Sequence, residues 1–187
     1  MDENKYLEKN NKTKELIVYC KKNNKALVIR DLFFDIPKWD QFIQHINFEY
    51  YNPPQMVSNN PTVERMINGV CLMNNFYMWA RDPNEIFYPQ MKQLYSFFNL
   101  IFKQEGFPVG AYFNLIGKES PVQIHKDKRE TIYWQCGGKT QWQIFDKNGT
   151  MNTYDLYPGD IIYIPQGLEH SVITNEPRTA IVIGYGE

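Results

Sequence analysis

Cysteine is scarce in this chain of 187 residues. Cys20, Cys71 and Cys136 are odd in number and lack CxxC spacing, which points to free thiols in a soluble, cytoplasmic protein. No apolar run approaches the roughly 20 residues a membrane span needs, and the polar, Lys- and Asn-rich N-terminus is not a signal peptide. Neither sign of charge is in excess: Lys plus Arg total 20 against 21 for Asp plus Glu, a formal net charge of −1. That balance argues against a nucleic-acid polymer as partner, which calls for a basic excess or a concentrated basic face. Internal repeats and linker-like stretches are missing too. What is present is a large apolar complement, 43% of residues with 16% aromatic, too much for a disordered chain. A chain of this length buries roughly 70% of its unfolded surface and needs no staples.

Residues 1–14 are almost entirely polar and charged, and are expected to form a flexible N-terminal arm, frayed or helical. The rest, 15–187, reads as a single domain: a helical and mixed part over 15–108, then a β core over 109–187 that holds the chemistry. Glu15–Cys20 and Ala26–Arg30 lean towards strand. Pro37 opens a helix through His45, with Trp39, Phe42, Ile43 and Ile46 on one side. His45 on that helix is a surface or packing residue rather than a ligand. The proline- and Asn-rich stretch Tyr50–Pro61 is a loop. Over Asn84–Lys103 the period is helical: Phe87, Met91, Leu94, Tyr95, Phe98, Ile101 and Phe102 make one wide apolar stripe. It packs on the β core or on a second copy of the chain, as a homodimer.

After Pro108 come short β-branched and aromatic runs: Val109–Ile116, Thr131–Cys136, Thr140–Phe145, Ile161–Ile164, Ser171–Thr174 and Thr179–Gly184. Gly137-Gly138, Asn148-Gly149, Pro158-Gly159 and Gly167 divide them. Many short strands at this spacing predict a sandwich or barrel. Trp134 and Trp142 belong to its core rather than to a substrate-stacking surface.

Two of the three histidines in the chain lie in this half. His125-Lys126-Asp127 puts an imidazole and a carboxylate two residues apart, on one face of a strand. His170 closes the segment Gly159-Asp-Ile-Ile-Tyr-Ile-Pro165-Gln-Gly167-Leu-Glu-His170. Two His and one carboxylate form the facial set used by non-haem Fe(II) oxygenases, which leaves positions open for O₂ and a co-substrate. Alone, H-x-D is common; paired with the second segment it becomes specific.

The spacing G-x5-P-x-G-x2-H resembles the second motif of the cupin superfamily. His125-x-Asp127 with Glu130 and Gly137 resembles the first more loosely, with Asp127 where most cupins have His. The H-x-D version, and the run HKDKRETIYWQCGGKTQWQIF, resemble the JmjC-type and ribosomal-oxygenase branch. The resemblance covers about residues 109–185. It implies a mainly β fold, a double-stranded β-helix (jelly roll) with the N-terminal helices packed on the barrel. It also implies an Fe(II)- and 2-oxoglutarate-dependent oxygenase that uses O₂, with His125, Asp127 and His170 as catalytic metal ligands. Glu130 is then a fourth ligand, as in ordinary cupins, or a solvated rim residue.

The position that carries a Lys or Arg for 2-oxoglutarate in that branch is Thr140 here. The neighbouring Lys139 faces outward, and Val122 stands where some relatives have Thr. The prolyl-hydroxylase-like branch places its 2-oxoglutarate Arg on the last strand, as Arg178 is placed here, eight residues past His170. Arg178 is thus the candidate for the co-substrate's distal carboxylate, with Thr140, Tyr112, Tyr133 and Asn114 supplying polar groups beside it. An ordinary surface Arg in a turn is the competing reading. Two further functions stay open: a metal-dependent cupin, dioxygenase or isomerase, that works without 2-oxoglutarate, and a non-catalytic cupin binding module. The substrate is a protein side chain or a small molecule, with contacts expected from Tyr50–Pro61 and Lys118–Ile124.

Overall fold

The computed structural model describes residues 3–33, 35–44, 66–67, 70–71, 76–78, 83–114 and 122–186. The chain begins with α1 (Glu3–Asn23), β1 (Leu27–Ile29) and a short helix α2 (39–44), followed by β2 (Met66–Ile67), β3 (Val70–Cys71) and β4 (Phe76–Met78). The long helix α3 (Pro83–Phe102) leads into β5 (Phe107–Asn114), β6 (Val122–Lys126), β7 (Glu130–Gly137), β8 (Thr140–Phe145), β9 (Met151–Leu156), β10 (Ile161–Ile164), β11 (Glu169–Ile173) and β12 (Arg178–Tyr185). Six strands form one sheet in the order β1-β10-β7-β12-β5-β4 and four form a second, β6-β11-β8-β9, all antiparallel. Two facing sheets whose neighbours are distant in sequence make the jelly roll expected. Among the described residues no helix is long and apolar enough to cross a membrane.

The strand period of two sorts side chains into two cores. Ile132, Trp134 and Cys136 of β7, Ile161 and Tyr163 of β10, and Ile181, Ile183 and Tyr185 of β12 meet the helices. Tyr133, Ile162, Ile164, Ala180 and Val182 face inward and meet Trp142 and Ile144 of the second sheet. Because the six-stranded sheet is covered on both faces, β7, β10 and β12 read as nearly unbroken apolar runs instead of alternating ones.

The helical layer departs from expectation in one place. Glu15–Cys20 is not a strand but the second half of α1, which also takes in most of the arm expected over 1–14. Thr13, Ile17 and Cys20 are buried at helical spacing while Val18 and Tyr19 lie exposed. The β-branched and aromatic composition therefore misled, and the burial period decided. The helix ends in a Schellman cap: Asn24 adopts φ 52°, and the Lys25 and Asn24 N–H groups donate to the carbonyls of Cys20 and Lys21. In α3 the stripe packs on the barrel, with Phe87, Met91, Leu94 and Phe98 buried and Phe102 stacked on Tyr185 at 4.3 Å. Pro89 lacks the N–H that would continue the helical ladder, and the backbone departs from helix at Phe87. His45 and Tyr50–Pro61 lie outside the described residues.

Candidate metal centre

The first ligand candidate sits near the end of β6 and the third near the start of β11. These strands are neighbours, and their register sets His125 directly opposite His170. The imidazole centroids are 4.3 Å apart. β6 stops at Lys126, and Asp127 lies in the bend that follows, where its backbone carbonyl accepts the Gly167 N–H at 3.0 Å. That bond ties the H-x-D segment to the Pro-x-Gly turn that delivers His170. Gly167 holds φ 74°, a conformation natural to glycine, so the turn needs it there. Asp127 Oδ1 is 3.6 Å from His125 Nε2, and Oδ2 is 3.7 Å from His170 Nε2. One donor atom from each residue lies within 4.8 Å of the others.

The donor chemistry fits a divalent transition metal. His170 Nδ1 is 2.9 Å from the Leu168 carbonyl, which can only accept, so the proton is on Nδ1 and the lone pair is on Nε2, the atom that faces Asp127. Burial pushes the His170 imidazole below its ordinary 6.5, against the opposing pull of the Leu168 carbonyl and the Asp127 charge, so the ring is neutral and able to ligate near neutral pH. Thr131 donates to Asp127 Oδ2 at 2.7 Å. Exposure is graded: the His170 side chain is 2% exposed, Asp127 31% and His125 40%. One wall of the centre is therefore packed and the other opens.

The packed wall is aromatic. Trp142 lies over the His170 ring, centroids 5.5 Å apart and planes at 26°, and Tyr133 meets Trp142 edge-on at 4.8 Å. Trp142 thus belongs to the core, as expected, and also buttresses a ligand; Trp134 faces the helices and has no part in the site.

Beyond this wall lies a buried polar cluster. Arg178 donates to the Tyr133 hydroxyl at 3.1 Å; Tyr133 and Thr140 both donate to Gln135 Oε1, at 3.1 and 2.8 Å; Trp142 Nε1 donates to the Thr140 hydroxyl at 3.3 Å. The Gln135 amide then donates to the carbonyls of Gly137 and Gly138. Arg178 is 2% exposed, which rules out an ordinary surface Arg. Tyr133 is pushed above the usual phenol range by burial, with Arg178 pulling the other way. Three of the five co-substrate candidates, Arg178, Tyr133 and Thr140, are joined by these bonds. The Tyr112 ring is 6.3 Å from that of Tyr133. Asn114 is the register partner of Arg178 on β5, and its side chain lies outside the described residues.

Glu130 is neither a fourth ligand nor a solvated rim residue. It pairs with Lys21 of α1 at 2.6 Å and accepts the Tyr163 hydroxyl at 3.0 Å, both on the helix side of the sheet. Residue 130 alternates with Thr131 on β7, so strand geometry turns it away from Asp127. Lys139 faces outward, as read, and pairs with Asp155 at 2.8 Å. Thr131 is not singled out by the sequence, its only signal being period-two spacing with Tyr133; Gln135 appears there only as part of the Q-x-x-G stretch that ends at Gly138.

No protein-family model and no curated protein matches the sequence. Among solved structures, the ribosomal oxygenase YcfD of Escherichia coli is similar at a TM-score of 0.58 and 17% identity, over 87% of this chain and 48% of that one. The same oxygenase in complex with cobalt and succinic acid gives a TM-score of 0.56 at 16% identity, with the same coverage. A cupin superfamily protein from Desulfitobacterium hafniense is similar at a TM-score of 0.35 and 17% identity, over 41% of this chain and 64% of its own. The chain spans about half the length of the ribosomal oxygenase. At these identities the likeness is one of fold: the chain has a jelly roll like that of the ribosomal oxygenase.

Proposed function

We propose that this chain is a metal-dependent oxygenase that uses Fe(II) and 2-oxoglutarate to hydroxylate a C–H bond of a protein side chain or small molecule. The observation that carries this reading is the convergence of His125, Asp127 and His170, with the His170 tautomer set by the Leu168 carbonyl. His125, Asp127 and His170 would hold the iron, which would supply the coupling of O₂ to 2-oxoglutarate decarboxylation, giving succinate and CO₂, and to insertion of the second oxygen atom into the substrate C–H bond. The ribosomal oxygenase of like fold was solved with cobalt and succinic acid, which supports the choice of co-substrate. In this chain the Arg178 guanidinium, on the inner wall with Tyr133 and Thr140, holds the distal carboxylate, and Tyr112 and Asn114 border the same wall. Trp142 keeps water from the His170 side and fixes the ring that ligates. The protein works as a soluble intracellular enzyme on a substrate that is not a nucleic-acid polymer.

One observation favours a second reading, a metal-dependent cupin that works without 2-oxoglutarate. Both hydroxyls that flank Arg178 already donate to Gln135, so a carboxylate arriving there has to break those bonds or rely on the guanidinium. Anaerobic titration of the Fe(II)-loaded protein with 2-oxoglutarate separates the two. The first reading expects a visible charge-transfer band that is lost in His125→Ala and needs more 2-oxoglutarate in Arg178→Ala. Bound iron without a band moves the assignment to the second reading, and failure to bind iron removes both.

A further inference from the structure

We infer that Thr131 is a positioning residue of the metal centre, its hydroxyl holding the Asp127 carboxylate between the two imidazoles. This rests on the reading of His125, Asp127 and His170 as metal ligands. Asp127 is the one ligand candidate that does not sit in a strand. It lies past the end of β6, so no strand pleat aims its side chain, and at 31% exposure it has water as an alternative partner.

Thr131 answers each of these weaknesses. It is buried in β7, paired through its backbone to Ile164 of β10 on one side and Gly184 of β12 on the other, so its Cα is fixed at the middle of the six-stranded sheet. Its hydroxyl reaches Asp127 Oδ2 at 2.7 Å, a length typical of a strong bond to an ionised acceptor. The Thr131 hydroxyl is the donor of this bond. The bond uses a lone pair of Oδ2 and leaves both of those on Oδ1, the oxygen 3.6 Å from His125 Nε2. The hydroxyl thus fixes the side-chain torsions and makes the two oxygens unequal, favouring Oδ1 as the donor to a metal. Thr131 does for Asp127 what the Leu168 carbonyl does for His170.

The test is Co(II) binding by calorimetry, together with the visible spectrum of the Co(II) form, in wild type, Thr131→Val, Thr131→Ala and Thr131→Ser. Valine keeps the shape and β-branching without the donor, alanine removes the donor without risk of crowding, and serine restores it. Unfolding of each metal-free protein in urea identifies any variant that fails to fold. Valine and alanine are expected to weaken Co(II) binding by about 10- to 100-fold and to alter the spectrum, with serine close to wild type. Wild-type affinity and spectrum in either folded hydroxyl-free variant would overturn the inference. His125→Ala tells that failure from a failure of the parent reading. Co(II) taken up by wild type and lost in His125→Ala, with Thr131→Val unchanged, sinks the role of Thr131 alone, whereas a wild type that takes up no Co(II) sinks both.

Discussion

Replacing Gly138 with alanine tests whether the turn between β7 and β8 is as rigid as its contacts imply. Gly138 turns β7 into β8 at φ 69°, a conformation that costs an L residue roughly 1–2 kcal/mol. A Cβ there would also lie 2.0 Å from the Pro177 carbonyl oxygen and 3.0 Å from Arg178 Cα, against 3.4–4 Å for ordinary contact. Those atoms are backbone, and Pro177 cannot retreat without moving the start of β12. Overpacking of this kind costs about 1–3 kcal/mol, so the whole change is about 2–5 kcal/mol, a large share of a domain's stability. Gly149→Ala is the matched control: φ is 78°, nothing lies within 4 Å, and only the conformational cost of about 1–2 kcal/mol applies. Urea unfolding followed by far-ultraviolet circular dichroism should show Gly138→Ala the less stable of the two. Equal losses would mean that the turn yields at no cost, and the reasoning would fail. Because the displaced atoms lead into Arg178, and the Gly138 carbonyl accepts from Gln135, only Gly138→Ala should also weaken 2-oxoglutarate binding.

Two further outcomes follow from the same contacts. Co(II) should quench tryptophan fluorescence through Trp142, whose ring lies over that of His170, and Trp142→Phe should remove the metal-dependent part; undiminished quenching in that variant would place the metal elsewhere. Tyr163 and Tyr185 are pushed above the ordinary phenol value of 10, both chiefly by burial and Tyr163 also by Glu130. A raised folded value means their contribution to stability is complete below pH 10 and is lost as pH rises beyond it, since the unfolded chain ionises first. The Tyr163→Phe, Tyr185→Phe double variant should show a shallower alkaline decline in urea midpoint, and an unchanged slope would contradict the burial argument.

The ease of reading differs sharply along the chain, and the physical reason is range. His125 and Asp127 are two residues apart, and His170 ends a segment whose Pro and Gly set the turn before a strand, so local spacing alone announces them. The glycines at 138, 149, 159 and 167 mark real turns because each sits at positive φ. Local composition fails where a distant partner decides. Val18 and Tyr19 look like strand residues, but burial of Ile17 and Cys20 against the sheet makes that stretch a helix. The segment Met151–Leu156 is polar enough to read as loop, and becomes β9 by pairing with β8 at the sheet's edge. Glu130 resembles a cupin ligand by spacing, yet Lys21, more than a hundred residues earlier, claims its carboxylate.

If the chain uses 2-oxoglutarate as proposed, the inner face of β7 makes co-substrate and substrate separable problems. Thr131, Tyr133 and Gln135 project from it in turn, the first bonded to Asp127, the second to Arg178, the third to Thr140 and the closing turn. On the reading proposed above, a co-substrate that spans the metal centre and Arg178 lies against this strand, so its chemistry is dictated by residues fixed in a sheet. On the other side, His125 is 40% exposed on β6, a strand at the edge of the smaller sheet. A substrate meeting the metal from there is selected by what borders that edge rather than by the barrel interior. Substitutions at Arg178 or Gln135 should then change the concentration of 2-oxoglutarate required and leave substrate preference alone. A variant at Arg178 or Gln135 that also changed substrate preference would show that the two sides share one pocket.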